Sequence, residues 1–63
     1  MVKVFYSVWV GDGELTDNYI ENYQKAVELA RLWRDKYGYE DTLIEFLVQG
    51  PTEIEHLCWD SEF

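Results

Sequence analysis

The first ten residues of the chain are dense in β-branched and aromatic side chains, which is typical of a β-strand. In the run 2–10, Val and Tyr at even positions alternate with Lys, Phe, Ser and Trp at odd positions. A strand with this alternation presents Val and Tyr on one face, and Phe5 and Trp9 on the other. The run 11–13 (Gly-Asp-Gly) tolerates positive φ and predicts a hairpin turn. Residues 14–20 are then expected to return as a second, more polar strand.

The register of this hairpin depends on the length of its turn. A three-residue turn sets Lys3 opposite Glu21 and Phe5 opposite Tyr19. A two-residue turn at 12–13 shifts every pair by one residue, which exchanges the faces. The three-residue turn is favoured, because it places a lysine across from an acid and stacks two aromatic rings.

From residue 23 to residue 37 the spacing of apolar residues changes to a helical period. They form a stripe about 160° wide at ~100° per residue. These residues are Tyr23, Ala26, Val27, Leu29, Ala30, Trp33 and Tyr37. Asn22 is a suitable N-cap, and Gly38 a suitable left-handed residue after the helix. Asn18 with Glu21 offers a competing capping box, which would begin the helix four residues earlier.

The last third of the sequence predicts one strand, and the tail after it is compatible with either a helix or a strand. Residues 42–49 alternate as a third strand, which Gly50-Pro51 ends. In the tail, Thr52 and Glu55 have the spacing of a capping box, and the apolar residues after them recur at helical intervals. The same residues are also compatible with a fourth strand. A short C-terminal helix is favoured.

The order β-β-α-β predicts one small α+β domain over residues 1–63. A right-handed crossover places the third strand beside the first and antiparallel to it. The result is a three-stranded antiparallel sheet in the order 2-1-3, with one helix on one face and the short C-terminal helix or strand beyond it. The opposite face would carry Phe5, Trp9, Leu43 and Leu47. The tail, a second copy or a partner would have to cover that face.

The charge balance changes what this small fold is expected to do. Thirteen Asp and Glu against five Lys and Arg give a formal charge of −8, and the pI is about 4.2. Because 48% of the residues are apolar and 17% aromatic, the chain is expected to fold despite its charge. Such a surface repels nucleic-acid phosphates and anionic membranes. The predicted partner is therefore a basic protein surface, with no direct contact to nucleic acid or membrane.

The carboxylates gather on the hairpin, beside the third strand and in the tail, while the helix carries nearly all the basic residues. Such a surface can imitate the anionic rail of a duplex, with one charge per ~1.7 Å of axis. The alternative is that the acidity serves solubility. The two tryptophans outside the helix are candidate anchors, since Trp is enriched at interface hot spots. The predicted partner-binding residues are Trp9, Asp12, Glu14, Asp17, Glu21, Glu40, Asp41, Glu45 and Trp59.

Catalytic and metal chemistry find little support in the sequence. His56, Cys58, Asp60 and Glu62 are metal-binding residue types, but the chain has one His and one Cys and no recognisable zinc spacing. We therefore expect no metal, no cofactor and no catalytic residue, and Cys58 as a buried thiol. A single cysteine also fits the reducing cytoplasm. The run 2–10 is too short for a membrane span and lacks the features of a leader.

Three short runs of the sequence resemble a known class of small proteins. They are YSVWVG at 6–11, QKAVELA at 24–30, and GYED at 38–41 leading into LIE at 43–45. Together they resemble small acidic proteins encoded by tailed phages, over roughly residues 6–46. The resemblance implies an inhibitor of host machinery, of the anti-CRISPR kind or of the kind that inhibits host RNA polymerase.

The expected function is therefore a non-enzymatic inhibitor that occupies a basic, nucleic-acid-binding surface of a host protein in the host cytoplasm. The alternative is an assembly domain that forms homo-oligomers, such as a homodimer, through the uncovered face of the sheet.

Overall fold

A computed structural model describes residues 2–63 of the chain. Its elements are β1 (Val4–Val10), β2 (Gly13–Glu14), α1 (Tyr23–Arg31) continued by a π-helical turn (Leu32–Lys36), β3 (Thr42–Gln49) and β4 (Ile54–Asp60). The strands form one antiparallel sheet in the order β2-β1-β3-β4. The α+β class, the antiparallel sheet and the helix are confirmed. The prediction of three strands is wrong, because the tail adds a fourth.

The centre of the sheet is the pairing of β1 with β3. The two strands pair from Val4 opposite Val48 to Val10 opposite Thr42. This register sets Val8 directly across from Ile44, and both side chains are fully buried. The helix adds three small or β-branched residues to the same core. They are Ala26, Val27 and Ala30.

The first hairpin has neither of the predicted registers. Val10 pairs with Gly13 across a two-residue loop, in which Gly11 has φ 57°. A positive φ at the first loop position is what a type II′ turn requires, and glycine adopts it without strain. The favoured turn at 11–13 is one residue too long, and the alternative turn at 12–13 lies one residue too far along the chain.

The predicted second strand is also shorter than expected. After β2 the chain leaves β1 and returns for a single bridge, where Tyr6 and Ile20 exchange two N–H···O bonds of 2.8 Å. The Leu15 N–H still donates to the Val8 carbonyl at 2.8 Å, and residues 16–19 then loop out before the bridge. Two predicted contacts form nevertheless: Lys3 Nζ lies 2.8 Å from Glu21 Oε1, and the rings of Phe5 and Tyr19 are 5.9 Å apart.

The ends of the helix follow the sequence closely. Asn22 is the N-cap, and its Oδ1 accepts a hydrogen bond from the Lys25 N–H at 3.3 Å. The competing start at Asn18 is therefore not used. Gly38 has φ 79° just after the helix, as predicted.

The predicted apolar stripe fails at its last residue, because Tyr37 is 52% exposed. The final helical turn is a π turn, closed by a hydrogen bond of 3.2 Å from the Tyr37 N–H to the Leu32 carbonyl. An i→i−5 turn changes the angular spacing of side chains. Tyr37 therefore leaves the face to which a 3.6-residue period assigns it.

The favoured C-terminal helix is wrong, and the tail forms β4 antiparallel to β3. The Gly50 N–H donates to the Glu53 carbonyl at 2.8 Å, and this turn reverses the chain onto the open edge of β3. A ladder along that edge satisfies many more backbone groups than an isolated short helix, which is marginal in water. The misleading helical spacing has a local cause. The ladder shifts between Phe46 and Leu47, so that Leu57 is an extra residue and interrupts the alternation.

The side of β4 that faces the helix is joined to it by a tyrosine. The Tyr23 hydroxyl donates to Asp60 Oδ2 at 3.1 Å. The Tyr23 ring also lies 5.3 Å from Tyr6 and 5.7 Å from Phe46. Burial raises the pKa of Tyr23, and the hydrogen bond to Asp60 raises it further. The neutral phenol is thus the form that the fold favours.

We predict that replacing Ile44 with alanine lowers the free energy of unfolding by about 2–5 kcal/mol, because it leaves a cavity under the helix. Ile44→Val should cost about 0.5–1.5 kcal/mol and remain measurable if the alanine variant does not fold. Urea denaturation followed by circular dichroism measures both. Leu57→Ala is the control: this side chain is 55% exposed, so the expected change is within about 0.5 kcal/mol. Equal losses for Ile44 and Leu57 would contradict the assigned core.

A second prediction concerns alkaline pH. Because the pKa of Tyr23 is raised in the folded state, its contribution to stability is complete below the ordinary tyrosine value of about 10 and is lost as pH rises through the folded value. Denaturation midpoints measured between pH 9 and pH 11 should therefore fall less steeply in Tyr23→Phe than in the parent chain. Identical slopes for the two proteins would argue against this assignment.

Candidate protein-binding surface

Most of the acidic residues stand outside ion pairs. Within residues 2–63, three of the thirteen carboxylates have an ionic partner: Glu21 with Lys3, Asp35 with Arg34, and Glu45 with His56. The separations are 2.8, 2.9 and 2.8 Å. The first two pairs join a carboxylate to Lys or Arg, and the third joins one to His. The negative charge of the chain is therefore largely uncompensated at close range.

One end of the sheet collects several of the predicted acids. The Gly11 N–H donates to the Asp41 carbonyl at 3.4 Å, which holds the β1–β2 loop against the segment before β3. Asp12, Glu40 and Asp41 are all exposed there, and we call these three residues the acidic end. β4 finishes near this end, because Asp60 pairs with Ile44 close to the start of β3.

A cation also reaches the tail beyond β4. The Arg34 Nη2 donates to the Phe63 carbonyl at 3.1 Å, and its guanidinium lies 4.3 Å from the centre of the Phe63 ring. The same side chain binds Asp35 and holds the pKa of that carboxyl below its usual value. Arg34 is thereby committed to internal contacts rather than to the acidic end.

The other acids predicted at the hairpin do not form one patch. Glu14 turns toward the sheet, where its Oε2 accepts a hydrogen bond from the Ser7 hydroxyl. Ser7 also lies within 2.9 Å of Thr16 Oγ1 and is fully buried. Glu21 is held by Lys3. Asp17 is exposed on the loop that leaves β1.

Glu45 is not a surface residue, although it was predicted to contact a partner. It lies on the helix-free face of β3 and is only 9% exposed. Trp9 Nε1–H donates to its Oε1 at 3.0 Å, and His56 Nδ1 lies 2.8 Å from its Oε2. A buried carboxylate is tolerated when donors of this kind replace its hydration. The sequence signal was present, since Glu45 is the single charge in an otherwise apolar row with Leu43 and Leu47.

The two predicted tryptophan anchors lie together on this helix-free face. The rings of Trp9 and Trp59 meet edge to face at 5.6 Å, and His56 packs on Trp59 at 5.1 Å. Trp9 is half-buried, whereas Trp59 is 47% exposed. Trp59 is therefore the side chain available for contact. Trp9 and Glu45 support it from below.

These side chains also cover much of the face that was predicted to be open. Leu47 is buried within the single chain, and Phe5, Trp9 and Leu43 are half-buried. Tyr19 packs on Phe5 from the looped-out segment. Side chains of the same chain thus cover part of the apolar row.

The free edge of β4 is a feature that sequence reasoning missed, because the tail was expected to be helical. Residues 55–59 are all exposed, including Cys58, which was predicted to be buried. β4 pairs on one side only, with β3. The thiol was misplaced because a strand at the edge leaves both of its faces poorly covered.

Comparisons with known proteins do not place this chain. No family model matches the sequence, and neither a curated protein nor a solved structure is similar to it. They lend no support to the resemblance with tailed-phage proteins. In the part of the chain that the structure describes, no pocket is present and no three His, Cys, Asp or Glu side chains are grouped to hold a metal ion. The described residues include no helix long and apolar enough to cross a membrane.

We predict that Glu45→Ala lowers the free energy of unfolding by about 1–3 kcal/mol, because it leaves the Trp9 indole N–H without an acceptor. In a Trp9→Phe background the same substitution should cost less, since no indole N–H remains to be satisfied. Urea denaturation of the four proteins in this cycle measures the difference. Glu28→Ala, on the exposed side of the helix, is the matched control and should change stability by no more than about 0.5 kcal/mol. Strictly additive costs for Glu45 and Trp9 would contradict the hydrogen bond.

Proposed function

We propose that this chain is a non-enzymatic acidic binding protein. It docks on a basic protein surface of the kind that holds nucleic acid, and it inhibits by keeping nucleic acid away from that surface. The observation that carries the proposal is the small degree of charge compensation. Within the described chain, Lys or Arg holds only two of the thirteen carboxylates, Glu21 and Asp35.

The geometry supports an electrostatic mode of association. The acidic end presents Asp12, Glu40 and Asp41 on exposed loops, which the backbone contact between Gly11 and Asp41 ties together. Charges displayed on a small body attract an oppositely charged partner from a distance and orient it before contact. An acidic protein of this kind competes with nucleic acid because both present negative charge to the same basic groups.

Trp59 supports a slow dissociation of the chain from its partner. Its ring is half-exposed, yet Trp9 and His56 fix its orientation. A rigid aromatic ring loses little conformational entropy on binding, and such residues dominate the energy of protein interfaces. Charge would then control the rate of association, and the aromatic contact the rate of dissociation.

The alternative of a homo-oligomer through the helix-free face has a weaker basis. It depended on an exposed apolar row, but Leu47 is buried and Phe5, Trp9 and Leu43 are half-buried in a single chain. A second copy would also bring a further charge of −8 to the contact. The observations therefore favour a basic partner.

We predict that binding to such a partner weakens as salt rises, because exposed charges are screened beyond about 8 Å at physiological ionic strength. A tagged chain is incubated with a lysate of the source cells, and the captured proteins are eluted in a salt gradient and identified. A purified captured protein is then bound to a fluorescent nucleic acid. Addition of the acidic chain should displace the nucleic acid, and less so at higher salt. Displacement that is indifferent to salt would contradict the proposal, as would simultaneous binding of both.

A pair of variants with the same net charge tests the location of the contact. Asp12→Asn combined with Asp41→Asn removes two negative charges from the acidic end. Glu28→Lys changes the net charge by the same amount on the exposed side of the helix. We expect the first variant to weaken displacement by about three- to tenfold, and the second by much less. Equal effects would mean that net charge alone, without a defined surface, governs binding.

A further inference from the structure

β4 is a long, open edge of the sheet. It has seven residues, and within residues 2–63 no strand pairs with its outer side. Alternate backbone N–H and C=O groups of an edge strand point away from the sheet and are available to another extended chain. The opposite edge offers much less, because β2 has two residues and the chain then loops out.

The charge along this edge is of one sign. No Lys or Arg follows Lys36 in the sequence, and four carboxylates lie on β4 or directly beside it. They are Glu53, Glu55, Asp60 and Glu62. None of the four has an ionic partner in the described chain. An incoming segment would meet negative charge without an ionic partner at both ends of the strand.

Two apolar side chains on β4 are also exposed. Leu57 is 55% exposed and Trp59 is 47% exposed. On a neighbouring strand, side chains directly opposite or diagonal to these would contact them, and a Lys or Arg can also pack its stem and charge on an indole ring. The edge thus combines backbone groups, apolar contact and charge in one strand.

We propose that β4 binds an extended segment rich in Lys or Arg, which adds to the sheet as a fifth strand. This inference rests on the basic partner of the proposed function and names the part of that partner that is bound. In strand addition, main-chain hydrogen bonds supply affinity and the side chains supply selection. Here the carboxylates beside the edge select for basic side chains. The extra residue at Leu57 divides the ladder, so the segment pairs with one arm of β4, residues 54–56, where Glu53 and Glu55 lie.

The charge pattern argues against a second copy as the occupant. Two β4 strands placed edge to edge would bring the carboxylates of both copies together, with no Lys or Arg on either strand to offset them. Like charges on neighbouring strands are destabilising. The same carboxylates attract a basic strand.

The test uses the whole chain and synthetic peptides of seven residues that alternate Lys with Thr or Val. Two further peptides carry backbone N-methyl groups, one at the odd and one at the even positions, with unchanged charge. Because alternate residues of a strand direct their N–H groups to opposite edges, one methylated peptide should bind nearly as well as the parent. The other should bind about tenfold more weakly. Isotope-labelled NMR should show the amide signals of residues 54–60 shifting with the parent peptide.

A pair of variants with equal net charge locates the contact independently. Glu53→Gln combined with Glu55→Gln should weaken binding of the peptide by about three- to tenfold. Glu28→Lys, which changes the net charge by the same amount on the exposed side of the helix, should weaken it by less than about twofold.

Several results would overturn the inference. They are no binding of the basic peptide at low salt, equal binding or equal loss for the two methylated peptides, equal effects of the two variants, or dimers through β4 seen by light scattering. Displacement of nucleic acid from a basic protein is a separate measurement. If displacement occurs and the peptide does not bind, this inference fails and the proposed function stands. If the peptide binds at β4 and no displacement occurs, the proposed function fails.

Discussion

The pairing of β1 with β3 is the contact on which the rest of this structure depends. Its seven opposed residue pairs place Val8 against Ile44 on one face, where the helix packs. On the other face they place Trp9 and Glu45 on adjacent strands, close enough for the indole N–H to reach the carboxylate. Both remaining strands attach to the outer sides of this pair. The core and the support for Trp59 therefore share one backbone ladder.

The two faces of the sheet are covered in different ways. The helix face is apolar, and small side chains such as Ala26 and Ala30 bring the helix close to the strands. The other face has no helix and is closed by large side chains that lie over it, chiefly Trp9, Trp59 and Tyr19. A small domain gains a high share of its buried area from such aromatic rings. This explains how Leu47 is buried although no helix lies above it.

The features that the sequence predicts correctly are those with a local signal. The bounds 42–49 of β3, the Asn22 N-cap and the positive φ of Gly38 depend on a few adjacent residues, and all three agree with the structure. Sequence reasoning also anticipated the contact of Lys3 with Glu21, although the assumed register was wrong. The bridge between Tyr6 and Ile20 restores this proximity after the chain loops out. A long Lys side chain tolerates such a difference in backbone pairing.

The predictions that are wrong concern residues whose structure is determined by contacts with distant parts of the chain. The tail is a strand because β3 offers an open edge, and the extra residue at Leu57 hides the alternation that would have indicated it. Glu45 was assigned to the surface because its two hydrogen-bond partners, Trp9 and His56, lie far away in sequence. For the candidate site, composition predicted the sign of the charge. It did not predict that Glu14, Glu21 and Glu45 each bind a residue of the chain itself.

The distribution of charge has a structural consequence that is independent of any partner. An open strand of seven residues with two exposed apolar side chains is a hazard, because edge strands template pairing with other chains. Natural proteins protect such edges with charges and bulges, and β4 has both, in its carboxylates and at Leu57. Protection by a single sign of charge is selective, however. It repels a second acidic strand, but it leaves the backbone groups open to a strand of opposite charge. The charge that would keep copies of this chain apart is therefore the same charge that, in our proposal, admits a basic segment.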